Sequence, residues 1–435
     1  MVNTSRILNR TLLGLLFLMK MSSSAQIPST NSNFVHPDFD YYSVEAHAKN
    51  APLTGPFLNM LSADVVQFEF DVLTSPDNDL YYSVFHCDPY WNVDDANPSD
   101  VIQGFTSQRV PYPENSIHTS AIFDHYRFEL PNTMTRFLQS GNYYVVVHEG
   151  SEFNESSIRI GFRMVVYVEG DHGLNATLNI KNASTIVHLQ SHQEVDFSIS
   201  LANAPVYDIQ KVVPVILQNG RWKDGKMNFQ PTYVAPNNLL VYDFSNGENE
   251  FPGGGEWEAF ETKDLRINGY NVQNNVRVDN ENHIYLYPSQ NEMNLAYTSR
   301  SDLNGASLIS SALYEDDDLT SDYTYVHFEL NSPELPNKVI LECGSELNRT
   351  MECEYSEIKK AYQATLYLKQ GVYNYRFRIE PLNSFDKSNF AEEITFAEGN
   401  HSATENNYQL LVYYYDRNAG FYKCGGNFIQ NTRRN

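Results

Sequence analysis

The sequence predicts an all-β protein built from tandem antiparallel β-sandwich domains of the immunoglobulin-like (Ig-like) kind. Apolar residues recur with a period of two in many short segments, glycine, proline, asparagine or aspartate separates many of these segments, and no long stripe with helical spacing occurs. The 30 tyrosines and 25 phenylalanines fit this class, because aromatic rings pack well on pleated sheets. Strands of this length favour two packed sheets over a single barrel.

The N-terminus has the layout of a secretory signal peptide. Arg6 and Arg10 precede the apolar run Leu12–Met19, and small residues follow it before Gln26. A membrane-spanning helix needs roughly 20 apolar residues, and this run is far shorter. We therefore expect residues 1–25 to be a signal peptide and the mature chain to be exported, without direct membrane insertion.

The predicted strands follow in order along the mature chain, each with apolar residues on alternate positions. In Val66–Val72 the residues Val66, Phe68, Phe70 and Val72 form an apolar face, and the residues between them are expected to face water. The same alternation occurs in YRFEL (126–130), IRIGFRMVV (158–166), EVDFSIS (194–200), YQATLYL (362–368) and YNYRFRI (373–379). These segments are typical of half-buried antiparallel strands.

Breaks in this pattern divide the chain into domains. We expect a first β-sandwich at residues 26–169 and a second β domain at residues 170–313, separated near the EGDHG segment. The acidic stretch YEDDDLTSD, residues 314–322, lacks apolar spacing and is predicted to be a linker. A C-terminal sandwich of the Ig-like or E-set-like kind would then occupy residues 323–435.

Charge and cysteine content limit the possible partners. The formal charge is −24, and nucleic-acid binding draws on clustered lysine and arginine, so we expect no nucleic-acid partner. Cys343 and Cys353 are close enough in sequence for a hairpin disulfide, which export would permit. The alternative is that all four cysteines, including Cys87 and Cys424, are small apolar core residues.

The segment His86–Phe105 gathers a histidine, a cysteine, a tryptophan and several aspartates directly after a predicted strand. On a strand His86 and Cys87 point to opposite faces, so a nucleophilic dyad of adjacent residues is geometrically poor. A zinc site would need further ligands at suitable spacing. Asp94, Asp95 and Asn97 are typical turn residues, so we expect a structured loop, with a ligand or partner surface as the alternative.

Two further acidic segments raise the question of chemistry. Glu256, Glu258 and Glu261 follow three glycines, and paired carboxylates are what a glycosidase uses; the glycines indicate unusual backbone φ rather than a phosphate cradle. The run Glu315–Asp318 could attract calcium but lacks EF-hand spacing. No assembled catalytic group is recognisable, so we expect a non-enzymatic protein without metal or cofactor.

Several segments resemble, in the same order, the type IX secretion system plug protein family of Bacteroidota, formerly a domain of unknown function. They are YYSVFHCDPYWNVDDANPSDVIQGF, HYRFELPNTMTRFLQSGNYYVVV, HQEVDFSI, VVPVILQNGRWKD, FPGGGEWEAFETKDLR, YVHFEL, YQATLYLKQGVYNYRF and NNYQLLVYYYDR. The resemblance covers about residues 35–420. It is most specific at residues 86–105 and 251–266.

The resemblance implies a mechanical function. Members of this family are thought to close the periplasmic end of the outer-membrane translocon, a giant β-barrel, when no cargo passes. It implies a periplasmic protein that is associated with the outer membrane through this barrel, and we expect a monomer. The candidate partner-binding residues are Trp91, Asn92, Phe251, Pro252 and Trp257. The alternatives are a secreted carbohydrate-binding or glycan-processing sandwich protein, and an accessory factor in cargo maturation.

Overall fold

A computed structural model describes residues 33–74, 79–169, 173–202, 206, 208–293, 295–344, 350–380 and 395–433. About 51% of the chain is strand and 5% is helix, which confirms the all-β class. The predicted signal peptide, residues 1–25, lies outside the described residues. Among the described residues, no helix has the length and apolar character that crossing a membrane requires.

The first sandwich (residues 33–169) contains two packed sheets. Its strands are β1 (Phe34–Val35), β2 (Tyr41–Ala48), β3 (Phe57–Asn59), β4 (Val66–Val72), β5 (Leu80–Cys87), β6 (Ile102–Gly104), β7 (Ser107–Arg109), β8 (Glu114–Asn115), β9 (Asp124–Leu130), β10 (Thr135–Phe137), β11 (Gly141–Glu149) and β12 (Ile158–Tyr167), with the short helix α1 (Pro98–Val101) before β6. One sheet has the order β1-β12-β11-β5-β7, with β3 beside β12, and the other has the order β2-β4-β9-β8. A small pair, β6 with β10, lies apart from them.

The second and third sandwiches follow. The second sandwich begins with β13 (Asn175–Asn182), β14 (His192–Ser200), β15 (Val212–Gln218), β16 (Arg221–Met227), β17 (Tyr233–Ala235), β18 (Leu239–Tyr242) and β19 (Glu250–Pro252). The third sandwich contains β20 (Glu258–Glu261), β21 (Val272–Val278), β22 (Glu281–Leu286), β23 (Ser289–Gln290), β24 (Ser307–Ile309), helix α2 (Asp317–Thr320), β25 (Tyr323–Asn331), β26 (Lys338–Cys343), β27 (Met351–Glu352), β28 (Glu354–Ser356), β29 (Ala361–Lys369) and β30 (Gly371–Glu380). Single turns of 3-10 helix occur at Glu155–Ser157, Ile186–His188 and Ile209–Lys211.

The chain then returns to the second sandwich. Strands β31 (Asn407–Asp416) and β32 (Phe421–Asn431) complete a sheet of order β16-β15-β31-β32, which we call the return sheet. It packs on the sheet β13-β14-β18-β17, which carries β19 beside β14. The third sandwich pairs the sheet β20-β30-β26-β27 with the sheet β21-β22-β25-β29-β28. Strand β24 lies beside β30, and β23 lies beside β25.

This pairing departs from the predicted domain boundaries at residues 170–313 and 323–435. Strands β20 to β24 lie before residue 313 but pair with β25 and β30 of the third sandwich, and β31 and β32 belong to the second. The stretch 314–322 is correspondingly not a linker: α2 lies within it, directly before β25. Period-two patterning identifies strands one at a time and carries no information about which strands pair, so it could not place these boundaries.

The predicted alternation is confirmed on the inner faces only. Val66, Phe68, Phe70 and Val72 of β4 lie in the first core, as expected. The intervening Glu69 and Asp71 were expected to face water, and both are buried. Strands β11 and β12 of the first sandwich and β15 of the second are likewise buried along nearly their whole length. The outer face of each sheet packs against the neighbouring sandwich.

The four cysteines are free and buried. Cys343 and Cys353 lie in the third core, and Cys87 and Cys424 lie between the first and second sandwiches. Burial raises the pKa of Cys353 to about 12. The structure therefore favours the interpretation of these cysteines as small apolar residues, and the hairpin disulfide is not formed.

Candidate functional site: the junctions between sandwiches

The predicted loop after β5 is confirmed as a structured loop. Asp88 accepts hydrogen bonds from the backbone N–H groups of Tyr90 (2.8 Å) and Asn92 (2.9 Å). His86 Nδ1 lies 2.6 Å from Asp94 Oδ2. This network holds Trp91 in the left-handed region, at φ 66°, a conformation that is uncommon for a bulky residue. The loop therefore directs the Trp91 ring inward.

The aromatic junction joins the first and second sandwiches. The rings of Trp91 and Trp222 meet edge to face at a centroid distance of 4.9 Å, and the guanidinium of Arg163 lies 5.0 Å from the Trp91 ring centroid. Nearby, the Tyr413 hydroxyl donates a 2.7 Å hydrogen bond to Asn142 Oδ1. An apolar cluster contributed by β5, β11 and β12 on one side and by the return sheet on the other surrounds these contacts. The two sheets thus share a buried, largely apolar interface.

The arginine junction joins the second and third sandwiches. Glu342 of β26 accepts hydrogen bonds from Arg221 (3.0 Å), Arg376 (3.0 Å) and Arg378 (2.7 Å), and all four side chains are buried. Burial alone would raise the pKa of Glu342, but the charges of Arg376 and Arg221 hold it well below its usual range. The ring of Trp257 lies over Arg376, 4.3 Å from the guanidinium carbon. Arg221 belongs to β16, so its contact with Glu342 crosses the boundary between the second and third sandwiches.

The lysine junction joins the first and third sandwiches around Asp71 of β4. This carboxylate accepts hydrogen bonds from Lys369 Nζ (2.7 Å) and from the Tyr323 hydroxyl (2.7 Å) of the third sandwich. His125 Nδ1 of the first sandwich lies 2.7 Å from its other oxygen. Burial acts to lower the pKa of His125, but the hydrogen bonds with Asp71 and Glu69 outweigh it and raise the pKa to about 9.

One group of this junction resembles a metal site in composition. Glu69, His125 and Asp318 lie close enough for a shared cation. The guanidinium of Arg127 already bonds two of them: its Nε donates to Glu69 at 2.5 Å, and a terminal nitrogen donates to Asp318. A second group, Glu194 with Asp196 and Asp243, has Lys181 Nζ 2.6 Å from Asp196. A cation of the chain itself therefore already bonds two carboxylates in each group.

The predicted acidic run Glu315–Asp318 also has structural partners. Asp316 caps α2, and Asp317 accepts a 2.6 Å hydrogen bond from the N–H of Ser311. Asp318 belongs to the lysine junction. Three of the four acids thus bond backbone or arginine, which leaves the calcium interpretation without a free ligand set in this run.

The three glutamates after the glycines do not form an open carboxylate pair. Glu258 accepts hydrogen bonds from the hydroxyls of Tyr375 (2.6 Å) and Ser289 (2.9 Å), and burial raises its pKa. Glu256 is bonded by Tyr297 and Arg433. The space beside Glu258 measures about 10 Å³, which is far too small for a sugar ring. This geometry does not support the glycosidase interpretation.

The glycines themselves serve close packing. Only Gly254 has a left-handed φ, 72°. A Cβ on Gly253 or Gly255 would lie 2.0 Å from the carbonyl oxygen of His401 or 2.2 Å from that of Glu398, respectively. The expectation of unusual φ therefore holds for one of the three, and the other two allow backbone segments to approach.

Four of the five predicted partner-binding residues are inside the molecule. Trp91, Phe251 and Trp257 are 3%, 1% and 5% exposed, and Pro252 is buried as well. Phe251 packs against Tyr408 in the second core, while Trp91 and Trp257 belong to the aromatic and arginine junctions. Trp91 and Trp257 thus contribute to contacts between sandwiches, whereas Phe251 contributes to a core, and all four side chains are buried. Asn92 is exposed, and its amide donates a 3.0 Å hydrogen bond to Asp88.

The charged junction residues were not anticipated. Glu69, Asp71, Arg376 and Arg378 occupy the alternate positions of their strands, so the pattern gives them the signature of a solvent-facing surface. Lys369 ends a strand and carries no distinguishing signal. These charged residues are buried only because whole sandwiches pack against each other, and the local sequence pattern carries no information about that packing.

A cleft of about 650 Å³ lies where the three sandwiches meet. Its lining comes from β2 and residues 52–57 of the first sandwich, residues 302–307 of the third, and the outer face of the return sheet. That face carries Asn407, Gln409, Asn427 and Ile429. On this face, amide side chains of β31 and β32 bond each other: Gln409 donates a 2.9 Å hydrogen bond to Asn427, and Asn431 donates a 2.9 Å hydrogen bond to Asn407.

These features define an all-β protein of three sandwiches, joined pairwise by aromatic and charged junctions. Residues 42–168, most of the first sandwich, match the family model of the type 9 secretion system plug protein first domain. This match confirms the resemblance to the type IX secretion plug family.

The whole fold has a solved counterpart. A crystal structure of a hypothetical protein from Parabacteroides merdae ATCC 43184 is 25% identical, with a TM-score of 0.83, and the alignment covers 92% of this chain and 99% of that one. The arrangement of three sandwiches is therefore shared by that protein. No curated protein matches the chain.

Proposed function

We propose that this chain is a non-enzymatic plug that closes the periplasmic end of the type IX secretion translocon pore in the outer membrane. The observation that carries the proposal is the pairwise joining of all three sandwiches. Domains in one chain usually move relative to each other unless their interface is large and apolar or otherwise costly to open. Here the first contacts the second through Trp91 and Trp222, the second contacts the third through Arg221 and Glu342, and the third contacts the first through Lys369 and Asp71.

Such an arrangement suits a stopper. Separating the first and second sandwiches would expose buried apolar surface, and opening either of the other junctions would break the hydrogen bonds that Arg221 and Lys369 donate to buried carboxylates. A body closed by three such junctions keeps its shape against a pore wall, and it needs no active site to do so. The family match in the first sandwich supports the link to this secretion system.

The proposal places the protein in the periplasm, as a monomer held at the outer membrane by the translocon β-barrel. Its formal charge of −24 keeps it soluble and disfavours adsorption to anionic lipid. The test is affinity isolation of the tagged full-length protein from gently solubilised outer membranes. Recovery of one very large β-barrel is expected. Recovery of secreted cargo without the barrel would favour the accessory-factor alternative, and binding on a glycan array would favour the carbohydrate-binding one.

A further inference from the structure

The last strand of the return sheet is covered over only half its length. Among the strands that the structure describes, β32 pairs with β31 alone. Its first half is sealed by the chain that leaves the first sandwich: the N–H of Val168 bonds the carbonyl of Cys424, and the N–H of Leu174 bonds the carbonyl of Gly425. Past Gly426 the strand runs on as an edge, with Ile429 62% exposed.

The register shows which backbone groups point outward. The N–H of Thr432 bonds the carbonyl of Asn406 at 3.0 Å, so these opposed residues form a hydrogen-bonded pair. Hydrogen-bonded and non-hydrogen-bonded pairs alternate in an antiparallel ladder. Asn427, Ile429 and Asn431 therefore direct their N–H and C=O groups away from β31, and no backbone hydrogen bond to them is found in the described part of the chain.

This edge lacks the features that normally prevent strand addition. Natural edge strands carry lysine, proline, inward charges or bulges that block pairing. From Gly426 to Asn431 the sequence is GNFIQN, without a charge or a proline. The one register irregularity of the pair leaves Gly425 unpaired between Cys424 and Gly426, so it lies just before this stretch. The side chains of Asn427 and Ile429 line the central cleft.

We propose that an extended segment of a partner polypeptide adds to the free edge of β32 and becomes the fifth strand of the return sheet. A row of alternating N–H and C=O groups is complementary to another extended backbone. Neither a bilayer nor a sugar offers that repeat. The inference rests on the proposed function, in which the partner belongs to the translocon, and it names the chemistry of the contact as main-chain pairing.

The edge geometry allows a matched set of three variants at Ile429. The N–H of Ile429 points outward, so Ile429→Pro removes a donor for the partner without removing a bond to β31, and proline is accepted at such edge positions. Ile429→Ala keeps the donor and removes only the side chain. Ile429→Lys adds a charge that natural edges use against pairing. Thermal unfolding of each purified variant checks that the fold is retained.

The test compares amide hydrogen exchange of the purified full-length protein with its exchange in the complex isolated from membranes. Exchange in residues 427–431 should slow about tenfold or more on association, and Ile429→Pro and Ile429→Lys should reduce recovery of the partner while Ile429→Ala retains it.

Unchanged exchange in a complex that contains the barrel overturns this inference and leaves the plug function standing. Protection by a partner other than the barrel supports the edge and overturns the plug function. A protein that is isolated alone, or a concentration-dependent dimer that protects the edge, contradicts the inference.

Discussion

Lys369 and Asp71 are 298 residues apart in the chain, yet their charged groups lie 2.7 Å apart in a site where the side chains are 2% and 0% exposed. Neither residue has a buried partner of opposite charge within its own strand. The pair forms only when the third sandwich docks against the first. Substituting one partner of this pair therefore tests how much the contact contributes to docking of the two sandwiches.

Lys369→Met should destabilise the protein by about 2 kcal/mol, because it removes one of the two cationic partners of the buried Asp71 carboxylate and leaves only His125. The free energy of unfolding in urea measures this. The matched control is Lys360→Met, which removes an exposed ion pair with Glu357 and should leave the urea midpoint unchanged. Equal midpoints for both variants would show that the lysine junction does not hold the sandwiches together.

The lysine junction should weaken as pH rises. The pKa of His125 is raised to about 9, so its stabilising contribution is fully present below its unfolded pKa, near 6.5, and is lost as pH passes through about 9. Burial also raises the pKa of Glu45 to about 7, so this group lowers stability as pH rises from its unfolded pKa, near 4.5, to about 7, and it adds no further pH dependence above that.

This loss of stability, up to roughly 3 kcal/mol for His125, can be followed by urea unfolding between pH 6.5 and 9.5. His125→Gln should flatten the pH dependence across that window. If stability instead rose with pH, or if the variant kept the slope of the wild type, the assignment of charge to His125 would be wrong.

Trp91→Ala should cost about 3–5 kcal/mol, which is typical of emptying a buried aromatic site, because Trp91 fills the junction with Trp222 and Arg163. Tyr270→Ala removes an aromatic side chain that is 66% exposed and serves as the control. A small effect at Trp91 would mean that the aromatic junction contributes little to docking of the first and second sandwiches.

The cysteines provide a chemical test of the fold. All four are free and buried, so a thiol reagent should modify none of them in the native protein and all four after denaturation without reductant. Intact-mass analysis counts the modified thiols. Two unreactive thiols after denaturation would reveal a disulfide, most simply between Cys343 and Cys353.

Sequence patterning predicted the strands and missed the junctions for one physical reason. The alternation in β4 correctly placed Phe68 and Phe70 in the core, but it assigned Glu69 and Asp71 to solvent, since one strand cannot report what packs on its outer face. The same limit explains why β31 and β32 were assigned to the third sandwich. Unusual loops at Trp91 and Trp257 were recognised, yet their role is to join sandwiches and not to form a surface.

The central claim is that this protein blocks a pore, and outer-membrane permeability tests it most directly. Cells that lack the protein should take up a fluorescent dextran too large for ordinary porins, and wild-type protein supplied in trans should stop the uptake. Deletion of the translocon barrel in the same cells should abolish the leak as well. Uptake that never increases, or that increases equally without the barrel, would contradict the claim.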